Sequence, residues 1–148
     1  MTAVAGEGKF RYNQDMKNIA IILASGSGSR AGFELPKQFQ KISGKTVFEY
    51  SIDAFENNAS IDEIVIVINP DYKRIVDEII KNNHWQKVKN IINGGKERID
   101  SSRNGVFSIE ENEANILIHD CVRPFVTDKI INDSINALKK YDAVDVAV

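Results

Sequence analysis

From Ile19 onward the chain alternates short runs of Ile, Val and Leu with longer amphipathic stretches. A brief, nearly continuous aliphatic run suits a strand covered on both faces, and a longer amphipathic stretch between two such runs suits a crossover helix. The pattern therefore predicts an α/β class with strands joined through helices in a parallel sheet. Strands are predicted at Ile19–Leu23, Ile64–Ile68, Val88–Ile92, Ile116–Ile118 and Val144–Val148, the Val88 run carrying the weakest signal. Helices are predicted near Thr46–Glu56, Asp71–Asn82, Ile99–Ile109 and Asp128–Lys140. Ile75, Val76, Ile79 and Ile80 make one apolar stripe, and Ile131, Ile135 and Leu138 make another, so these helices have a face with which to cover the sheet. Thr127 or Asp128 would cap the last helix.

Residues 1–15 show neither period, and Met16 stands immediately before the first apolar run. They are read as a leader, expected to be disordered and outside the fold, with residues 16–148 as the working domain. With 148 residues, 43% hydrophobic and 27% charged, the chain can bury one ordinary globular core. A net charge of −2 offers no basic excess for a long nucleic acid or an anionic membrane surface. Apolar runs such as Ile64–Ile68 are far shorter than the roughly 18 residues a membrane span needs. The lone Cys121 cannot form an internal disulfide, and no export signal is seen, so a cytoplasmic location is expected.

In an open parallel sheet ligands bind beyond the carboxyl ends of the strands. The unusual residues of this chain fall there: Ala24-Ser25-Gly26-Ser27-Gly28-Ser29-Arg30 after the first strand, Asn93-Gly94-Gly95-Lys96-Glu97-Arg98 after the third, and His119-Asp120-Cys121-Val122-Arg123-Pro124 at the end of the fourth. Gly26 and Gly28 with serines between them allow a tight turn whose N–H groups can cradle phosphate oxygens, and Arg30 and Lys37 add cations. Asp120, at a strand end, is a hard-oxygen ligand for Mg²⁺ bridging those phosphates. Attack on a phosphoanhydride by a substrate phosphate needs no activated Ser or Cys, and no Ser/His/Asp or Cys/His arrangement is recognisable.

The first loop also satisfies the dinucleotide pattern G-x-G-x-x-G/A. That reading requires a helix directly on the loop and an acid at the end of the second strand. Here Pro36 interrupts the segment and the strand ends in Asn69-Pro70. No Gly-Lys-Ser/Thr follows a glycine at Walker A spacing. Among the remaining residues, strand alternation keeps His119 and Asp120 from sharing one metal, so His119 is read as structural. His84 and Trp85 are read as a surface or satellite-core pair, and Glu110, Glu111, Asn112 and Glu113 as a solvated helix end and loop. Cys121 by itself reads as a small buried residue, not a nucleophile.

Four ordered motifs, Leu23 to Arg30, Pro36 to Phe39, Gly94 to Ser101 and His119 to Phe125, resemble those of the methylerythritol-phosphate and ribitol-5-phosphate cytidylyltransferases over residues 17–148. The resemblance implies a three-layer Rossmann-like nucleotidyltransferase fold, here its nucleotide-binding part, cut short at the C-terminus. It also implies an enzyme that moves CMP from CTP onto a polyol phosphate with Mg²⁺ and releases pyrophosphate. Position by position, Ala24, Ser25, Gly26, Ser27, Gly28 and Ser29 would surround the triphosphate, with Leu23 also in the nucleotide-binding set, and Arg30 and Lys37 would stabilise the pentacoordinate phosphorus. Gly94, Gly95, Lys96, Arg98 and Ser101 belong to the nucleotide-binding set, with Gly94, Gly95 and Ser101 against cytosine. Cys121 would lie against the ribose, Asp120 would hold Mg²⁺, and Arg123 would order its loop.

Ser25 and Ala31 stand where the family usually has a small residue and a methionine, and Cys121 replaces a usual alanine. Family members continue past Val148 with a second Mg²⁺-binding Asp, basic residues that place the polyol phosphate and a dimerisation arm, so a homodimer is implied for the full-length form. Residues 141–148 and Val122 to Phe125 look more like the ribitol-phosphate branch, whereas Lys96 to Ser101 fits the methylerythritol-phosphate branch as well. A non-catalytic nucleotide-binding fragment is the alternative reading from a different class.

Overall fold

A computed structural model describes residues 1–5, 16–26, 35–111 and 113–146. In chain order the elements are β1 (Thr2–Ala5), β2 (Lys17–Ala24), a 3₁₀ turn (Lys37–Phe39), β3 (Lys41–Ile42), β4 (Lys45–Thr46), α1 (Val47–Glu56) and β5 (Glu63–Ile68). A second 3₁₀ turn (Pro70–Tyr72), α2 (Lys73–Asn83), β6 (Val88–Asn93), α3 (Arg98–Phe107), β7 (Ala114–Asp120), α4 (Asp128–Leu138) and β8 (Ala143–Asp145) follow. The main sheet runs β6-β5-β2-β7-β1-β8, with β6, β5, β2 and β7 mutually parallel.

Alternation along β2 divides the core. Ala20, Ile22 and Ala24 face the layer built by α1, α2 and α4, where Phe48, Ile52, Phe55, Val76, Ile131, Ile135 and Leu138 are buried. Ile19, Ile21 and Leu23 face the opposite side, against Val65, Val67 and the α3 residue Val106. α3 can lie close because Gly105 has no side chain: a Cβ there would stand 2.6 Å from Ile21 Cγ2. The result is three layers, helices on both faces of a mostly parallel sheet, as the aliphatic runs predict. Phe48 and Phe55 are fully buried, and truncating either to alanine is worth about 3–5 kcal/mol of stability.

The predicted strands and helices are all present, with shifted ends. Thr46 is not the first residue of α1 but its cap, accepting from Glu49 N while the Glu49 carboxylate accepts from Thr46 N at 2.7 Å. Thr127, not Asp128, caps α4. Asp71 lies in the 3₁₀ turn that precedes α2, and α3 ends at Phe107, two residues before the predicted Ile109. β6 is an edge strand with exposed Lys89, Asn90 and Asn93, which accounts for its weak signal. The final strand is Ala143–Asp145, shorter than the predicted Val144–Val148; residues 147–148 lie outside the described residues.

One expectation is corrected. Within the 1–15 segment read as a disordered leader, Thr2–Ala5 form β1, antiparallel to both β7 and β8, with Ala3 buried. Four small residues carry too little aliphatic area to announce a strand; the two flanking ladders supply the backbone partners that make it one. Residues 6–15 lie outside the described residues. The sheet is therefore mixed at β1 and not wholly parallel.

Candidate functional site

Because β2, β5, β6 and β7 run the same way, their carboxyl ends share one edge, and β2 lies between the two strands, β5 and β7, to which the chain goes in opposite directions. A crevice opens at such a switch point. The loops leaving it are tied to one another. Gly94 N donates to Ile68 O at 2.7 Å, and Cys121 N donates to Leu23 O at 3.0 Å. The hydroxyls of Ser25 and Ser101 share a 2.8 Å hydrogen bond across 76 positions of sequence.

Ser101 is the hub of the second loop. Its hydroxyl accepts from Gly95 N at 3.1 Å and lies 3.2 Å from Glu97 O, and the residue is 1% exposed. The glycines are required by space: a Cβ on Gly94 would come 2.4 Å from Ser25 Cβ, and one on Gly95 2.1 Å from Asp100 Cβ. Asp100 must stay where it is because it receives Glu97 N at 3.0 Å and closes the cap of α3.

Asp120 ends β7 with its carboxylate 29% exposed. Arg98 Nε, from the first turn of α3, donates to Asp120 Oδ1 at 2.9 Å, and Arg123 Nε stands 3.7 Å from Oδ2. Lys96 is exposed beside them. Lys37 is exposed on its 3₁₀ turn, while the next residue, Gln38, is buried and donates to Ala24 O at 2.9 Å and Gly26 O at 2.8 Å. The edge thus gathers Ala24, Ser25, Gly26, Gly94, Gly95, Ser101, Arg98 and Asp120, with Lys37 on the neighbouring turn. Ser27, Gly28, Ser29 and Arg30 lie outside the described residues.

Two of the expected nucleotide residues send their side chains elsewhere. Leu23 points into the core against α3, and Cys121 is wholly buried in the opposite core, with its carbonyl receiving Ser51 Oγ at 2.5 Å. The Cys121 side chain has no exposed surface, in keeping with its reading from the sequence as a small buried residue. Burial also pushes the thiol up to about 12, which leaves it protonated and unreactive near neutral pH. His119 is structural, as alternation implied: it packs on Phe55 with ring centroids 5.1 Å apart, and its Nε2 lies 3.0 Å from Arg123 O. Burial holds its pKa down to about 4, so the ring is neutral. Trp85 is a satellite of the core, reaching Asp53 Oδ1 at 2.8 Å, and His84 is the exposed left-handed cap of α2. Gln38 and Ser51 are the contributors that spacing did not single out.

The family model for IspD, 2-C-methyl-D-erythritol 4-phosphate cytidylyltransferase, matches residues 18–148. The chain belongs to this family. Among its relatives, the bifunctional ribulose 5-phosphate reductase/CDP-ribitol pyrophosphorylase Bcs1 of Haemophilus influenzae is 45% identical over 134 residues, which is 89% of this chain and 28% of that protein. The 2-C-methyl-D-erythritol 4-phosphate cytidylyltransferase of Clostridium novyi is 39% identical over 128 residues, 86% of this chain and 55% of that one. The crystal structure of 4-diphosphocytidyl-2C-methyl-D-erythritol synthase from Anaerococcus prevotii superposes with a TM-score of 0.71 at 30% identity, covering 84% of this chain and 52% of that chain. The chain spans about half the length of the cytidylyltransferases it matches, and less of the bifunctional relative.

For a cytidylyltransferase-family chain the cation question turns on Asp120. No group of three or more His, Cys, Asp or Glu able to hold a metal occurs among the described residues. One hard carboxylate at the crevice nevertheless fits a divalent cation of the kind that takes its other ligands from substrate phosphates and water. No helix among the described residues is long and apolar enough to cross a membrane.

Proposed function

We propose that this chain forms the CTP-binding part of an enzyme that transfers CMP from CTP to a polyol phosphate and releases pyrophosphate. The observation that carries the reading is the hydrogen-bonded union of three family motifs at one sheet edge: Ser25 to Ser101, Gly95 to Ser101, and Arg98 to Asp120.

In the proposed reaction an oxygen of the polyol phosphate attacks the α-phosphorus of CTP in line; the new P–O bond forms as the bond to the β-phosphate oxygen breaks, and the electron pair leaves on pyrophosphate. Backbone N–H groups of the Ala24 to Ser29 loop hold the triphosphate, and Lys37 with Arg30 meets charge that spreads over the phosphorus oxygens. Gly94 and Gly95 offer backbone carbonyls to the cytosine edge, their N–H groups being held by Ile68 O and Ser101 Oγ. Asp120 would hold Mg²⁺, which supplies charge neutralisation between the phosphates when bound. Relatives act on either sugar skeleton, so the acceptor is proposed as 2-C-methyl-D-erythritol 4-phosphate or D-ribitol 5-phosphate. A cytoplasmic location and a homodimer of the full-length form complete the proposal.

The dinucleotide alternative loses ground on one contact. The residue after β5, Asn69, spends its side-chain oxygen accepting Asp71 N at 3.0 Å, capping the following turn, and no acid stands there for ribose hydroxyls. Calorimetric titration with CTP, ATP and NAD⁺, with and without Mg²⁺, tests the proposal. Selective, Mg²⁺-dependent CTP binding is the expected result; binding of NAD⁺ without CTP would replace the reading with a dinucleotide site.

A further inference from the structure

The 3₁₀ turn that presents Lys37 is bolted to the core. Phe39 is buried with its ring centroid 5.9 Å from Phe48 and 5.5 Å from Tyr72, and the turn closes through Phe39 N to Pro36 O at 2.9 Å. Gln38, between Lys37 and Phe39, is 2% exposed. A buried primary amide is costly unless its donors are satisfied. Here one nitrogen serves two carbonyls of the candidate phosphate loop, Ala24 O and Gly26 O, at 2.9 and 2.8 Å.

The geometry has an electrostatic consequence. A trans peptide is planar, with C=O and N–H pointing in opposite directions. Holding the Ala24 carbonyl on Gln38 therefore turns the Ser25 N–H away from Gln38. Carbonyl oxygens left free in such a loop would repel a polyphosphate; tied to Gln38, they cannot face it.

We infer that Gln38 is a positioning residue for phosphate recognition: it secures the Ala24 and Gly26 carbonyls so that neither opposes a polyphosphate, from the same rigid turn that presents Lys37. The inference rests on the cytidylyltransferase reading for the identity of the polyphosphate as CTP, but not for the anion itself. Inorganic tripolyphosphate is therefore the primary probe, with CTP and cytidine beside it.

The full chain and its Gln38→Met and Gln38→Glu variants are titrated with tripolyphosphate, CTP and cytidine in the presence of Mg²⁺, with circular dichroism and thermal melting as fold controls. Gln38→Met, near in size but without a donor, is expected to bind tripolyphosphate and CTP roughly tenfold more weakly, the scale of one to two lost hydrogen bonds. Cytidine affinity stays within about twofold, because the Gly94-Gly95 loop is untouched. Gln38→Glu, which sets carboxylate oxygens against the two carbonyls, loses at least as much and decides the matter should Gln38→Met not fold. A purely structural role would weaken all three ligands alike. That pattern, or undiminished tripolyphosphate binding in both variants, overturns the inference. Wild-type binding of tripolyphosphate without CTP would sink the cytidylyltransferase reading while leaving Gln38 decided on the inorganic probe; wild-type binding of neither overturns both.

Discussion

The two ends of the sheet spend their polar groups differently. At the amino end of β2, Lys17 sits between the carboxylates of Glu63, at 2.6 Å, and Glu111. Asn18 donates from its backbone to Asp62 at 2.7 Å and from its side chain to Ser60 O at 2.8 Å, and it receives Asn115 Nδ2 at 2.8 Å. Charges there face opposite charges, and the cluster closes on itself. At the carboxyl end neutral groups, Gln38, Ser25 and Ser101, tie loops together, Arg98 and Arg123 share the carboxylate of Asp120, and Lys37 is exposed on its turn. Two guanidinium groups on one carboxylate leave a positive excess for an anion, whereas a lysine between two carboxylates leaves none.

The strongest way to break that contrast is to part the loops. Gly94→Ala puts a methyl group into the Ser25–Ser101 contact, with 2.8 Å to Ser101 Oγ and 2.9 Å to Ser25 Oγ. A destabilisation of about 1–3 kcal/mol is expected from overpacking, with CTP affinity lowered at least roughly tenfold as base and phosphate loops separate. Gly26→Ala is the control, since no described atom lies within 4 Å of a Cβ there. Melting curves that separate the two variants support the crowding argument; equal curves refute it.

Asp120→Asn comes next. Its ion pairs are formed with arginine side chains 61–62% exposed, so removing the charge should move stability by less than about 1 kcal/mol. The Mg²⁺ dependence of CTP binding should nevertheless disappear, because the strand-end carboxylate proposed to hold the cation is gone. Parallel melting and calorimetry at several Mg²⁺ concentrations read both effects. Retained Mg²⁺ dependence would move the cation away from Asp120.

How much of this was legible in the sequence follows from where each signal comes from. Ile19 to Leu23 announces a doubly covered strand because every residue of it is apolar, and the stripe Ile131, Ile135, Leu138 announces a helix face; both depend on local order alone. β1 does not announce itself, since Thr2–Ala5 owes its strand to the ladders of β7 and β8. Asp120 was legible as a carboxylate at a strand end, yet its pairing with Arg98 was not, because the two stand 22 positions apart. Leu23 and Cys121 sit inside motifs that resemblance assigns to nucleotide binding; the pleat of β2 sends the Leu23 side chain to the core, and Cys121 is buried as its residue type suggested. Gln38 lies inside the Pro36 to Phe39 motif, but the residue pattern assigned it no role of its own. A glutamine beside a lysine reads as surface until Phe39 anchors the turn and carries the amide inside.

The smallest effect belongs to the amino end and carries its own pH signature. The Lys17 hydrogen bond holds Glu111 below its ordinary 4.5, and the hydrogen bonds to Glu111 and Glu63 push Lys17 above its ordinary 10.5. Below pH 4.5 the unfolded chain takes up the Glu111 proton before the folded one does, so the carboxylate's contribution is present above that pH and is lost as pH falls. The lysine contribution is present below pH 10.5 and is lost as pH rises beyond it, when the unfolded chain gives up its proton first. Lys17→Met should therefore lower the melting temperature by a modest amount that is steady across the neutral range and shrinks toward both extremes. These groups are partly exposed, so added salt should shrink the difference too. Melting temperatures of the two proteins from pH 3 to 11 make the comparison. A difference that persists unchanged into acid would mean that Lys17 acts through its packed methylene stem and not its charge, and the amino end would then lose its claim to be the electrostatically closed end of the sheet.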